Sequence, residues 1–180
     1  MENPELEKLQ YPIGKYTAPD GYSAEFIKVA IYQIATFPER LKQEVIYLNE
    51  EQLDTPYRKE GWTIRQVIHH CGDSHMNCYI RLKWALTEEI PIIKYYYEDR
   101  WSRLEDNLTM PITPSLLLLE GLHYRLAYLM SSLNANDLKK SFIHPEHNKE
   151  IQIKELIGLY AWHSNHHLAH ITELKKRKGW

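Results

Sequence analysis

The amino-acid sequence predicts an all-α protein: a four-helix bundle with a long structured crossover loop between its second and third helices. Two observations carry that prediction. Apolar residues recur at helical spacing through almost the whole chain, with little of the alternation that marks strands. The long periodic stretches also carry recognisable start or stop signals. Four amphipathic helices of such length bury their apolar stripes against one another.

The first helix spans about Ser23 to Leu48, with Phe26, Val29, Ala30, Ile34, Leu41, Val45 and Leu48 at helical spacing. Pro38 is expected to kink or split it. The second opens on Thr63-Ile64-Arg65-Gln66, a capping box with Thr as N-cap and Gln three residues later, and runs to about Leu86. Glu88-Glu89-Ile90-Pro91 stops it. The segment from Thr87 to Thr113 is rich in tyrosine and carries Pro91 and Pro111. It reads as a crossover with one short helix near Trp101, and a loop of that length is usually structured and often functional. The third helix begins at Thr113-Pro114, N-cap then proline, and reaches about Leu133. The fourth follows Gln152-Ile153-Lys154-Glu155, with Glu at N3. It ends in Lys175-Lys176-Arg177-Lys178-Gly179, cations at the negative helix terminus and then a glycine stop. No flexible linker divides the chain, so residues 1–180 are read as one domain.

Composition excludes several classes. The 180 residues hold 22 Lys and Arg against 24 Asp and Glu, a net charge of −2, too small for general attraction to nucleic acid or anionic membrane. No long uncharged apolar run suggests a membrane span, and MENPELEKLQ has no signal-peptide core, so a cytoplasmic location is expected. Cys71 and Cys78, about 10 Å apart along a helix, are too distant for a disulfide and read as buried reduced thiols.

Histidine is the unusual residue. Of ten, seven fall in two windows: His69, His70 and His75, then His163, His166, His167 and His170. At about 100° per residue, His167 and His170 lie about +40° and −20° from His163, on the stripe shared by Leu156 and Leu174. Those imidazoles point inward. His163-x-x-x-His167 places two rings on one face a turn apart, within reach of one metal ion. Ser164 follows His163, so the HExxH pattern of metallopeptidases is absent. His166 and His170 form a second HxxxH pair that ranks behind the first; these two rings could instead hold the ligand imidazoles or contact substrate. On the second helix, the face through His70 carries Ser74, Asn77 and Arg81, while Ile64, Ile68 and Cys71 form a separate apolar stripe. A polar row of that kind suits a pocket wall, since burying it unpaired costs several kcal/mol. His69 points away from His70, His75 lies off the pocket face, and a lone His123 reads as structural. The bland alternative for the paired histidines is core imidazoles bonded to backbone carbonyls, and for the polar row of the second helix an ordinary solvated face.

Longer motifs surround these positions: Tyr11-Pro12-Ile13-Gly14-Lys15-Tyr16, Leu53-Asp54-Thr55-Pro56-Tyr57-Arg58, Gly61-Trp62-Thr63-Ile64-Arg65-Gln66-Val67-Ile68-His69-His70, Asp73-Ser74-His75-Met76-Asn77, and Tyr160-Ala161-Trp162-His163-Ser164-Asn165-His166-His167-Leu168-Ala169-His170-Ile171. With them the chain resembles the YfiT group of the DinB-like metal-dependent family along nearly its whole length. The resemblance implies a four-helix bundle, a homodimer, and one divalent metal on three histidines. Carried over position by position, the ligands are His70, His163 and His167. The family often has His at position 165, where this chain has Asn, but that position lies outside the ligand set.

Three neutral imidazoles leave a metal its full charge and an open position, and such an ion is a Lewis acid that deprotonates a nucleophile. The resemblance implies a metal-dependent hydrolase acting on a small molecule. The same group includes transferases of the thiol bacillithiol, which use the same activation step. Asn77 and Arg81 would suit a substrate carboxylate or amide. Imidazole ligands accept zinc or nickel, and also cobalt or iron. A purely structural clamp between the second and fourth helices is the non-enzyme alternative; structural zinc sites usually close with four ligands and favour Cys.

Overall fold

The computed structural model describes residues 4–146 and 148–180. Its four long helices are α2 (Ala24–Val45), α4 (Ile64–Thr87), α7 (Thr113–Ser131) and α8 (Ile153–Lys178). Short helices α1 (Pro4–Gln10), α3 (Glu50–Leu53), α5 (Glu98–Trp101) and α6 (Glu105–Thr109) fill the connections, with a two-stranded antiparallel hairpin, β1 (Ser141–His144) and β2 (Lys149–Gln152), before α8.

The starts follow local chemistry. Ser23 Oγ accepts from the Phe26 N–H at 3.1 Å at the head of α2. Thr63 and Gln66 complete the expected capping box on α4, with bonds of 3.1 and 2.9 Å. Glu155 accepts from the Gln152 N–H at 2.8 Å, and Gly179 closes α8 in the left-handed region at φ 71°. On α7 the first helical residue is Thr113, with Ile112 as cap and proline in the first turn, one residue from the expected frame. Pro38 does not split α2: the helix runs through it, and Pro38 is buried. The crossover holds two short helices where one was expected. Four-residue strands such as β1 and β2 are too short to declare a period, which is why the hairpin was not visible in the sequence.

Packing pairs α2 with α8 and α7, and α4 with α7 and α8. Helices consecutive in the chain, α2 with α4 and α7 with α8, therefore lie across the diagonals. Two apolar clusters fill the bundle. One takes Ile27 to Ile34 of α2, Cys78 to Ala85 of α4, Leu122 to Met130 of α7 and Ile153 to Ala161 of α8. The other takes Phe37 to Val45, Ile64 to Cys71, Leu119, and Ile171 with Leu174. The order of clusters along each helix gives its direction: α2 and α8 run one way, α4 and α7 the other. Neighbouring α4 and α7 are thus parallel, so the chain must return along about 36 Å of helix between them. That is the physical reason for the long crossover. Between Cys71 and Cys78 of α4, and between Ala161 and Ile171 of α8, no buried residue belongs to either cluster; only the partly buried Met76 and Leu168 pack against them. Most of the buried histidines sit in this middle layer.

Arg65 ties the base of α4 to its surroundings. Its guanidinium donates to Asp54 Oδ1 at 2.7 Å, to the Met110 carbonyl at 3.0 Å, and to Glu50, while the residue itself is buried. Arg65→Ala is expected to lower the unfolding free energy by about 2 kcal/mol, since its acceptors retain access to water. Arg65→Lys should recover little of that, because an ammonium cannot fork across three acceptors. Urea denaturation checks both.

Candidate metal centre

His70, at the edge of the middle layer on α4, faces His163 and His167 of α8. The Nε2 atoms of His70 and His163 are 3.4 Å apart. One ligand nitrogen from each of the three lies within 4.8 Å of the others. His167 turns its Nδ1 toward His170, which leaves Nε2 for the group. Tetrahedral zinc with Zn–N bonds of about 2.1 Å separates its nitrogens by about 3.4 Å, so the donor set fits a small divalent cation without a fourth protein ligand. Burial first, and then the charge of neighbouring imidazoles, hold His70 down at about 3 and push His163 and His167 well below the usual imidazole range. At neutral pH all three rings are therefore uncharged, the form that coordinates metal. Trp62 covers one side of the group, its ring 4.6 Å from that of His70.

The three histidines line a cavity of about 470 Å³, together with Arg58, Arg81, Tyr95, Tyr96 and Glu98. A larger groove of about 730 Å³ lies between α2 and α7, but it contains no histidine and lies away from this chemistry. The crossover reaches the cavity because it is pinned to the hairpin: Ile143 donates to the Pro91 carbonyl at 2.9 Å, and Ile93 donates to the Ile143 carbonyl at 3.1 Å. Those bonds bring Tyr95, Tyr96 and Glu98 over the histidines, and they set His144 and Glu146 of the hairpin on the same wall. None of these five was singled out from sequence. The tyrosine-rich, overlong crossover was the available signal.

Arg81 and Asn77 separate. Arg81 lines the cavity, is only 7% exposed, and among the described residues has no hydrogen-bond partner for Nε or Nη2; its guanidinium lies 5.8 Å from the Tyr96 ring centre. Asn77 is not among the lining residues, and its amide donates to the Asp73 carbonyl one turn back at 2.9 Å. A short amide on a helix satisfies itself locally, whereas the long arginine reaches the cavity.

His75 is not remote from the site, although it points about 140° away from His70 on the helical wheel. Its Nε2 lies 3.0 Å from His163 Nδ1, and its Nδ1 lies 2.6 Å from His123 Nε2. The His163 ring spans two rows of α4, one nitrogen toward each. His123 is accordingly no isolated structural residue. His69 is packed, between Ser115 Oγ at 2.7 Å and the Met110 carbonyl at 3.1 Å. His170 stacks on Tyr57 at 3.9 Å and directs Nε2 to the Gln10 carbonyl at 3.0 Å; His166 stacks on Trp162 at 4.4 Å. His166, His167 and His170 also come within metal-binding range, but they share His167 with the first group.

Comparisons with known proteins agree with this architecture. The chain is 49% identical over 175 residues to a protein of Bacillus cereus strain 03BB102 described as "Putative metal-dependent hydrolase", covering 97% of this chain and 100% of the relative. It is 48% identical over 172 residues to "Putative metal-dependent hydrolase YfiT" of Bacillus subtilis strain 168, covering 96% and 97%. A solved structure of Bacillus subtilis YfiT, described as a probable metal-dependent hydrolase with an unusual four-helix bundle topology, superposes with a TM-score of 0.94 at 47% identity over 96% of this chain and 99% of that one. With residues 33–171 matched by the family and relatives of nearly half-identical sequence along almost its whole length, the chain belongs to the DinB superfamily.

Proposed function

We propose that this protein is a metal-dependent hydrolase of small polar or anionic substrates, with His70, His163 and His167 as the metal ligands. The observation that carries the reading is three neutral, convergent imidazoles lining a cavity rather than sealed in a core. A structural site would close with a fourth side chain. A divalent ion held there supplies a Lewis acid that lowers the pKa of an incoming nucleophile. The chain's own residues do the rest. Arg81, two of whose donors have no partner among the described residues, binds a substrate carboxylate or carbonyl oxygen. Trp62 and Tyr160 wall the histidines from bulk solvent; Tyr160 is held by its hydroxyl donating to the Ser74 carbonyl at 3.1 Å. Glu98 lines the cavity, accepts from Tyr95 at 3.1 Å, and in this reading takes the substrate proton.

Thiol transfer is the second reading. Two arginines on the cavity wall, Arg58 and Arg81, suit an anionic low-molecular-weight thiol such as bacillithiol. Both readings use one activation step and differ in the nucleophile. The deciding experiment assays ester and amide substrates beside bacillithiol plus an electrophile, each with and without chelator. Activity that survives full metal removal overturns both.

Arg81→Ala is expected to raise KM at least tenfold at unchanged metal content, the loss of about 1.4 kcal/mol or more of substrate binding. Steady-state kinetics with metal analysis of the same sample measures it.

A further inference from the structure

Pro38 sits inside α2 and has no N–H to donate to the carbonyl one turn back, that of Ile34. That carbonyl is instead 2.6 Å from His123 Nδ1. A carbonyl only accepts, so His123 carries its proton on Nδ1. A neutral imidazole has one N–H and one lone pair. His123 Nε2 is therefore an acceptor, and His75 Nδ1, 2.6 Å away, donates to it. By the same rule His75 Nε2 accepts from His163 Nδ1 at 3.0 Å. His163 is left with its Nε2 lone pair facing His70. The reverse order would set two lone pairs against each other in a buried site. Both intermediate rings are 1% exposed and pack on Phe37, at 5.4 and 5.3 Å.

We propose that Pro38, His123 and His75 are positioning residues: the carbonyl freed by Pro38 sets, through two imidazoles, the tautomer in which His163 offers Nε2 to the metal. The inference rests on the reading of His163 as a ligand. The same device serves His167. His170 Nε2 donates to the Gln10 carbonyl at 3.0 Å, so its Nδ1 is an acceptor, and His167 Nδ1 lies 3.4 Å from it. His167 Nε2 is thereby also left as a lone pair. Two ligands are each oriented by a chain that ends on a backbone carbonyl, one freed by a proline inside α2 and one at the last residue of α1. Holding the second nitrogen of a ligand imidazole in this way fixes ring orientation and raises ligand basicity.

Long-range ¹H–¹⁵N spectra of the metal-free, histidine-labelled protein read each tautomer directly. His123, His75 and His163 are expected as Nδ1–H; finding His75 or His163 as Nε2–H overturns the inference. His123→Phe keeps a ring against Phe37 and removes the chain. It is expected to weaken Zn(II) affinity about 10- to 100-fold in a chelator competition, with a changed His163 tautomer. Pro38→Ala restores a competing N–H for the Ile34 carbonyl and should shift both readouts the same way, by less. Wild-type affinity and tautomers in both folded variants would overturn the relay. If His123→Phe does not fold, Pro38→Ala and the wild-type spectrum decide. If the wild type shows the expected tautomers and binds no divalent ion, the ligand reading falls and the proton order stands.

Discussion

His167→Ala is expected to abolish stoichiometric metal binding. The wild-type chain should carry about one divalent ion after gel filtration, and the variant close to none, since two imidazoles retain too little of the roughly 10 kcal/mol that a built transition-metal site supplies. His163→Ala should do the same. The loss should be selective: His69→Ala, on the same helix as His70, breaks bonds to Ser115 and Met110 and costs stability but leaves the ion in place. Metal analysis by mass spectrometry decides this. A His167→Ala protein with full metal content would show that the ion sits elsewhere, and equal loss in His69→Ala would show that the assay reports on folding. Activity should follow metal content, falling to background with His167→Ala whichever nucleophile the enzyme uses.

The second large effect is on acid stability of the metal-free protein. Burial, the largest cause throughout, holds His70 and His170 at about 3 and His123 and His166 at about 4, and it pushes His75, His163 and His167 well below the usual range. A histidine depressed in the folded state gives no protonation advantage to folding in acid. Its stabilising contribution is present above the unfolded value near 6.5 and is lost as pH falls toward the folded value. Between pH 7 and pH 5 each such group therefore costs about 2 kcal/mol. Asp73 works the other way. Burial raises it to about 6, so its penalty on folding is relieved below that pH and returns about 1 kcal/mol. Against a typical domain stability of about 5–15 kcal/mol, several histidine contributions together should bring the metal-free protein close to unfolding at pH 5. Urea midpoints at pH 7 and pH 5 test it. A midpoint that does not move would mean the rings already share protons in the native state. At pH 7, added Zn(II) should raise the midpoint in proportion to its affinity, because binding favours the folded form.

Much of the fold and part of the candidate site were legible in the residues themselves. The capping boxes at Thr63 and Gln152, the glycine at 179 and the 3.6-residue period are local facts, settled within one turn of chain, and the helices begin and end close to where they indicate. The same holds for the two rings of His163 and His167, which must share a face because four residues separate them. Partners across helices depend instead on axial stagger and on where the chain crosses over. Those are set by two apolar clusters with a polar layer between them, and a helical wheel contains neither. That is why His75 reads as remote by its angle yet lies 3.0 Å from His163. It is why Asn77 and Arg81, neighbours on the wheel, separate into a self-satisfied amide and a cavity-lining guanidinium. It is also why Pro38 reads as a helix breaker when the bundle keeps the helix whole and gives its orphaned carbonyl to His123. Sequence alone determined which side chains have the chemistry to ligate a metal and on which helices they ride. Only the tertiary structure decided which nitrogens meet, because a hydrogen bond or a coordination bond is settled over tenths of an ångström that no sequence period records.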